Sequence, residues 1–376
     1  MVDNPIKILY VCDEYPPESP GGFGIFVKEI AHQLSFMGHQ VFIYGWYSSV
    51  KERSEAMDGP VHVIKDKKID GLNYLKEIND YGIAITRLAR ELNVDTVEMT
   101  DSGGKFLFVK HHNLCVRLHT SARYFKRRSL KMNLVEKAAF ALRRAKIIAV
   151  SGFINEKFKG YFKLVNPYSS TEVVCNGINI KQKHFLVDKK RNSIVFGGTL
   201  KPSKGLSVLI EAFFQSELWK QGCTLDLYGK DTSYNNESYT SQLKNLIVSK
   251  NSEFVNFVKF KGEVSKAELM DKFSESFVNI FPSRYESFGL VVIESMSQGA
   301  LTIFTNQGAA NEIIDHGENG FLFEVDNDKE LSDLLTKVIK MNQSKVDDIR
   351  KAAQERAAHF SINKCADESM KIYERR

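Results

Sequence analysis

Apolar residues along the chain gather in short runs, and most of these runs empty into a loop and then into helical spacing. Ile6–Cys12 is the first, a buried strand by its unbroken apolar character. Residues 13–24, DEYPPESPGGFG, form a Pro- and Gly-rich loop, and Ile25, Phe26, Ile30, Leu34 and Met37 then recur at the helical period up to Gly38. Val41–Tyr44 is the next strand. This strand–helix–strand opening predicts a parallel sheet with right-handed crossovers. Val94–Met99, Leu114–Leu118, Lys146–Val150 and Glu172–Cys175 continue the strands. The polar, Lys-rich residues 179–192 read as a linker. The second half restarts the rhythm with a strand at Ser193–Phe196 and a helix at Leu206–Phe214. Strands at Leu225–Tyr228 and Val258–Phe260 follow, with a polar loop and helix in 232–250 between them. Val278–Phe281 is a further strand, stopped by Pro282 and Ser283. After the polar loop Arg284–Ser287, Leu290, Ile293, Glu294 and Ser297 share a helical face that ends at Gly299. Leu301–Phe304 and Gly320–Val325 are the last strands, Lys329–Met341 a helix, and Ser361–Tyr373 a helical tail.

Such a pattern in 376 residues is too long for one core, and two domains are expected. Five scattered cysteines with no CxxC pair suit reduced thiols of a cytoplasmic protein better than a disulfide framework or a zinc site. No signal-peptide core opens the chain, and no apolar run is long enough to span a bilayer. The net charge of +6 is uneven: residues 1–180 hold 25 Lys and Arg against 19 Asp and Glu, and the rest balances to zero. Residues 123–163 carry twelve basic side chains against Glu136 and Glu156. Two readings of that segment stand side by side. One is contact with an anionic membrane surface or acceptor, with a peripheral position at the inner face of the plasma membrane; the other is a solvated helix face. Nucleic acid is not expected, because no binding motif accompanies the charge.

Candidate chemistry sits where strands empty into helices. At Phe281–Ala300 (FPSRYESFGLVVIESMSQGA) a short loop feeds a helix whose free backbone N–H groups and dipole favour a phosphate. Glu286 lies just before that helix and Glu294 over one turn inside it, where a carboxylate can accept from ribose hydroxyls. Gly21-Gly22-Phe23-Gly24 marks the first helix start, where backbone can approach an anion. A nicotinamide-dinucleotide fingerprint fits poorly there. Asp13 to Pro20 separate the glycines from the strand, and Tyr44-Gly45-Trp46 offers no acidic residue for a ribose. Loops after Met99 and Leu118 place Asp101 and His119 at strand ends, where open α/β sheets bind ligands. Asp326-Asn327-Asp328 has the form of a metal-binding DxD, but it precedes a helix, and capping explains it better.

Glu286-Ser-Phe-Gly-Leu-Val-Val-Ile-Glu294, with Gly299, Gly308, Glu312, Gly317, Asn319 and Gly320 beyond it, resembles the E-x7-E signature of retaining glycosyltransferases of the family 4 type. The resemblance covers nearly the whole chain. It implies the GT-B fold: two facing Rossmann-like α/β domains, residues 1–178 for the acceptor and 179–358 for the nucleotide sugar, with a helix in 359–376 crossing back. It further implies metal-independent transfer, with no cofactor, from a UDP- or GDP-sugar to a glycan or lipid-linked glycan, in surface polysaccharide synthesis. By the resemblance, Glu286, His119 and Lys204 are catalytic. Gly22, Gly198, Thr199, Lys204, Val264, Arg284, Glu286, Phe288, Gly289, Leu290 and Glu294 hold the donor, and Gly21 and Asp101 lie towards the acceptor. Lys204-Gly205 matches the family's diphosphate clamp, whereas Thr199 stands where the family has arginine and supplies only a hydroxyl; either Lys204 and helix dipoles suffice, or another base such as Arg284 substitutes. A sugar-nucleotide epimerase or hydrolase and a non-catalytic sugar-nucleotide binder are the alternatives.

Overall fold

The computed structural model describes residues 4–18, 21–69, 73–119, 130–162, 171–180 and 190–375. The chain divides into two compact units, Met1–Asn179 with Phe360–Arg376, and Ile180–His359.

The first unit runs β1 (Lys7–Val11), α1 (Gly22–Phe36), β2 (Gln40–Tyr47), β3 (Ser54–Asp58), β4 (Val61–Lys67), α2 (Tyr74–Glu91), β5 (Thr96–Thr100), β6 (Leu114–Leu118), α3 (Leu130–Leu142), β7 (Lys146–Ala149), α4 (Gly152–Phe162) and β8 (Thr171–Val173). Its eight strands lie in the order β3-β4-β2-β1-β5-β6-β7-β8. Among the described residues only the β3–β4 hairpin is antiparallel. β1 is buried on both faces, as its unbroken apolar run requires in a parallel sheet. The order turns back between β1 and β5, so the loops after these strands flank a switch point.

The second unit runs β9 (Lys190–Gly197), α5 (Leu206–Gln215), β10 (Thr224–Tyr228), a small hairpin of β11 (Ser233–Tyr234) and β12 (Glu237–Ser238), α6 (Tyr239–Lys250), β13 (Val258–Gly262), α7 (Lys266–Glu275), β14 (Ser276–Phe281), α8 (Leu290–Ser297), β15 (Leu301–Thr305), α9 (Ala310–Ile313), β16 (Phe321–Phe323), α10 (Asp328–Ile339) and α11 (Gln343–Ala358). Its six strands are all parallel, in the order β13-β10-β9-β14-β15-β16, and the switch falls between β9 and β14. Every residue of β14 is buried. Asn279 at its centre donates to Ser295 on α8 at 2.9 Å and accepts from Ser276 at 2.6 Å, and Ser295 meets Thr302 of β15 at 2.8 Å. These satisfied polar groups fix the rotation of α8 over the sheet, a specificity that apolar contact alone does not supply.

A last helix, α12 (Ile362–Tyr373), belongs to the first unit. Its Tyr373 hydroxyl donates to Glu98 at 2.5 Å and meets the Tyr10 hydroxyl at 2.8 Å. Glu98 also takes a two-pronged ion pair from Arg117, at 2.8 and 3.2 Å, and Arg117 reaches Ser369 on the helix at 2.8 Å. Arg117 is fully buried. Burial pushes the Tyr10 and Tyr373 phenols well above their ordinary range, and the Glu98 charge adds to it.

Two expectations need correction, and a third holds in detail. The linker of 179–192 is shorter, since β9 already begins at Lys190; residues 181–189 lie outside the described set. α1 starts at Gly22 rather than Ile25, so the glycines are its first turn and not a loop above it. Asp326-Asn327-Asp328 does cap α10, but through Asn327, whose side chain accepts from the Glu330 amide, while Asp326 pairs with Arg284.

Candidate active site

In the second unit the loops after β9 and β14 meet at the switch point. Their contact is close because Gly205 lacks a side chain: a Cβ there would stand 1.9 Å from the Pro282 carbonyl oxygen. Gly205 also has φ of 67°, which glycine adopts without strain. Across this contact Lys204 Nζ lies 2.8 Å from Glu286 Oε2, both side chains about one fifth exposed. Two of the three residues expected to be catalytic are thus brought together from positions 82 apart in sequence. Arg284 braces the pair. Its amide donates to the Ser203 carbonyl at 2.9 Å, Nη1 to the Pro202 carbonyl at 2.9 Å, and Nε to Asp326 at 2.6 Å. The Arg284 guanidinium, one of the two expected replacements for the missing clamp arginine, is engaged here in holding the Lys204 loop.

Beyond Glu286 the chain is anchored by buried Phe288 and turns at Gly289, whose φ of 110° suits glycine alone. Gly289 is the N-cap of α8, Leu290 its first residue, and no side chain caps the helix. The amides of its first turn keep the partial positive charge of a helix start. Gly308 closes the far side: a Cβ there would come 1.9 Å from the Glu286 carbonyl oxygen. One turn into α8, Glu294 is mostly buried and pairs with Lys266 Nζ at 2.9 Å. Lys266 opens α7, just after half-buried Val264. The sequence reading missed Lys266, because nothing local marks a surface lysine as the partner of a carboxylate on another helix.

The turns after β9, β10 and β13 are laced by backbone bonds, Gly198 to the Tyr228 carbonyl and Gly229 to the Gly262 carbonyl. Gly229 permits this, since a Cβ would lie 1.9 Å from the Gly198 oxygen. Thr199 is exposed at the tip of this shelf.

In the first unit the start of α1 meets His119. Phe23 and Phe26 place their rings 4.7 and 5.0 Å from the imidazole. Nδ1 lies 3.4 Å from the Asn176 side-chain amide, and Nε2 is buried with no partner among the described residues. Burial, and then the nearby Arg117 charge, drive its pKa well below 6.5, so the ring is neutral at pH 7. A neutral imidazole with an unpaired nitrogen can donate to or accept from a hydroxyl. Nothing local in the sequence marks Asn176 as the partner of His119. Gly21 and Gly24 both answer to Glu14, whose side chain and carbonyl occupy their Cβ positions, whereas Gly22 is exposed with open space at its Cβ. Asp101 is buried, accepts from the Thr100 hydroxyl at 3.1 Å and precedes a short 3-10 turn that it does not cap by its side chain. Thr120, Ser121 and the basic residues Arg123–Arg128 fall outside the described set.

Two parallel α/β units, with paired Lys204 and Glu286 at the switch point of one and an uncapped helix start behind them, define a GT-B type of scaffold. Residues 178–356 match the family model described as glycosyl transferases group 1, and residues 20–182 that described as Glycosyltransferase Family 4. The chain belongs to the glycosyltransferases of the family 4 type. It is 25% identical over 382 residues to an uncharacterized glycosyltransferase of Methanocaldococcus jannaschii, covering 98% of each chain. Among solved structures it is similar to a sucrose-phosphate synthase from Thermosynechococcus elongatus, with TM-score 0.81, 19% identity and 98% of each chain covered. It is also similar to Anabaena HepE in complex with UDP-glucose, with TM-score 0.73, 22% identity, and 97% of this chain and 99% of that one covered.

Proposed function

We propose that this glycosyltransferase moves a sugar, with retention of anomeric configuration, from a UDP- or GDP-sugar to a glycan or lipid-linked glycan, in cytoplasmic assembly of a surface polysaccharide. The observation that carries the reading is the Lys204–Glu286 pair at 2.8 Å, ahead of the uncapped start of α8. In this reading the ion pair is a resting state. When donor enters, Lys204 turns to the diphosphate, together with the amides of Phe288, Gly289 and Leu290, and Glu286 is released to the sugar hydroxyls. Charge developing on the leaving diphosphate is then met by donors already in position, each worth about 2.7–4 kcal/mol. That compensation comes from the chain itself, so the reaction is proposed to need no metal. Gly198, Thr199 and Val264 line the shelf for the nucleotide, and Glu294, steadied by Lys266, accepts from the ribose. By the resemblance, His119 is assigned to the transferred sugar and Gly22 to the donor, while Gly21 and Asp101 lie towards the acceptor. The HepE complex with UDP-glucose supports a uridine donor. The basic segment 123–163 supports work at an anionic membrane.

A thermal-shift panel of UDP, GDP and ADP tests the donor: the cognate base raises the melting temperature, by mass action on the folded state. Lys204→Ala and Glu286→Gln are expected to lower transfer by at least about a hundredfold, with circular dichroism unchanged. Full transfer by either variant, or transfer abolished by EDTA and restored by a divalent ion, would sink the corresponding part of the reading.

A further inference from the structure

The first unit has a second chemically marked face, at the end of its sheet opposite His119. Residues 109–114 lead into the amino end of β6, and residues 142–146 lead from α3 into the amino end of β7. Between them lies an open groove of about 570 Å³ lined by Lys110, His111, His112, Leu142, Arg143 and Arg144 among others, with no acidic side chain among the described residues. Two of these groups are built into the wall. His111 has both ring nitrogens 3.1 Å from backbone carbonyls, of Asn113 and Val94, and Arg143 Nε donates to the Leu107 carbonyl. Lys110 and Arg144 are exposed, and among the described residues their side chains engage no hydrogen bond or ion pair.

α3 runs into this groove with an apolar stripe facing outward. Leu134, Ala138, Ala141 and Leu142 share one face by helical spacing, while Val135, Glu136, Ala139 and Phe140 are buried on the other. Leu134 is 60% and Leu142 72% exposed. Exposed leucines beside a cationic groove suit an anionic membrane interface, where buried apolar area and attraction to anionic lipid add. A second copy of the chain seated face to face would set Lys110, Arg143 and Arg144 against their own equivalents, which like charges oppose. A protein surface would need acidic partners as well as an apolar strip; an anionic bilayer supplies both at once.

We propose that this face docks on an anionic lipid bilayer, with Leu134 and Leu142 in the acyl boundary and Lys110, Arg143 and Arg144 on headgroup phosphates. It deepens the membrane reading of residues 123–163, narrowing it to α3 and the groove and adding Lys110 from outside that segment, and it does not depend on the transfer chemistry.

The test is co-sedimentation of the full chain with phosphatidylcholine vesicles, with and without phosphatidylglycerol. Wild type is expected on the anionic vesicles only, and to be released by high salt. Removing one cation costs about fivefold in binding, at about 1 kcal/mol per basic residue near the surface, so Lys110→Ser with Arg144→Ser should lose about 25-fold. Leu134→Ser with Leu142→Ser should lose at least about tenfold. Both double variants keep wild-type circular dichroism and transfer to a detergent-solubilised acceptor. Four results would each overturn the proposal: wild type that ignores anionic vesicles; variants that bind like wild type; inorganic phosphate raising the melting temperature without vesicle binding; or a wild-type dimer in sedimentation that Leu142→Glu splits. A protein that binds vesicles but transfers no sugar leaves this proposal standing and removes the other.

Discussion

Single glycines and single polar atoms set the active site. Gly308 is where a φ of 64° and the Glu286 carbonyl leave no room for a Cβ. Gly308→Ala must therefore push the Glu286 backbone outward and break its register with Lys204. Since a displacement of about 1 Å at a reacting centre can cost about a hundredfold, transfer should fall at least about tenfold, while the left-handed backbone adds only about 1–2 kcal/mol of instability. Wild-type kcat in this variant would mean that Glu286 needs no such positioning. His119 makes a different prediction. Its folded pKa lies well below 6.5, through burial first and Arg117 second. As pH falls below 6.5 the unfolded chain takes up a proton that the folded chain refuses, so unfolding gains and stability drops, by up to about 1.4 kcal/mol per pH unit from this group. Denaturant titrations between pH 5 and 7 should show a shallower loss in His119→Gln than in wild type; parallel curves would show the ring to be freely protonated.

Elements were legible where local pattern and tertiary demand agree. β1 and β14 are unbroken apolar runs because the sheet buries both their faces, and the helix stop at Gly299 is a left-handed glycine, φ 64°. The start of α1 was not legible. Gly22, Phe23 and Gly24 have poor helix propensity, yet they are helical, and Gly24 is glycine because the Glu14 carbonyl packs where it would carry a Cβ, a contact no window of sequence displays. The same holds for the partners of the site residues, Lys266 for Glu294 and Asn176 for His119, which come from other elements. The Glu98–Arg117 pair is the strongest case of hidden structure: a charged residue within each of two apolar strands, joined under α12. Arg117→Met leaves Glu98 buried with the Tyr373 hydroxyl as its one remaining side-chain partner among the described residues, and removal of one partner of such a pair costs about 3–5 kcal/mol. Chemical denaturation should report that loss. A loss under about 1 kcal/mol would mean that water reaches Glu98.

At the scale of the whole molecule, sequence order and structural membership part company. α12 follows the second unit in the chain but is built into the first, and the backbone closes the arrangement: Ile178 donates to the Phe360 carbonyl at 3.0 Å and Ile362 to the Ile178 carbonyl at 2.9 Å. Gly177 allows this crossing, because a Cβ there would stand 2.6 Å from Ile362 Cα. Truncation after His359 therefore strips the first unit of buried Ile362, Cys365, Ala366, Met370 and Tyr373, and leaves Glu98 and Arg117 open to water, while every residue of the second unit is retained. Burial of a large apolar side chain contributes about 1.5–3 kcal/mol each, so with the polar network the loss is comparable to the roughly 5–15 kcal/mol that separates a folded domain from its unfolded chain. The truncated protein should lose the cooperative transition of its first unit and keep that of its second. If Lys204 and the start of α8 hold the diphosphate, UDP should still raise the melting temperature of the surviving transition, although transfer is gone. A truncated chain that keeps both transitions would show that α12 is an accessory to the first sheet. One that keeps its second transition but no longer responds to UDP would move the nucleotide contacts out of the second unit.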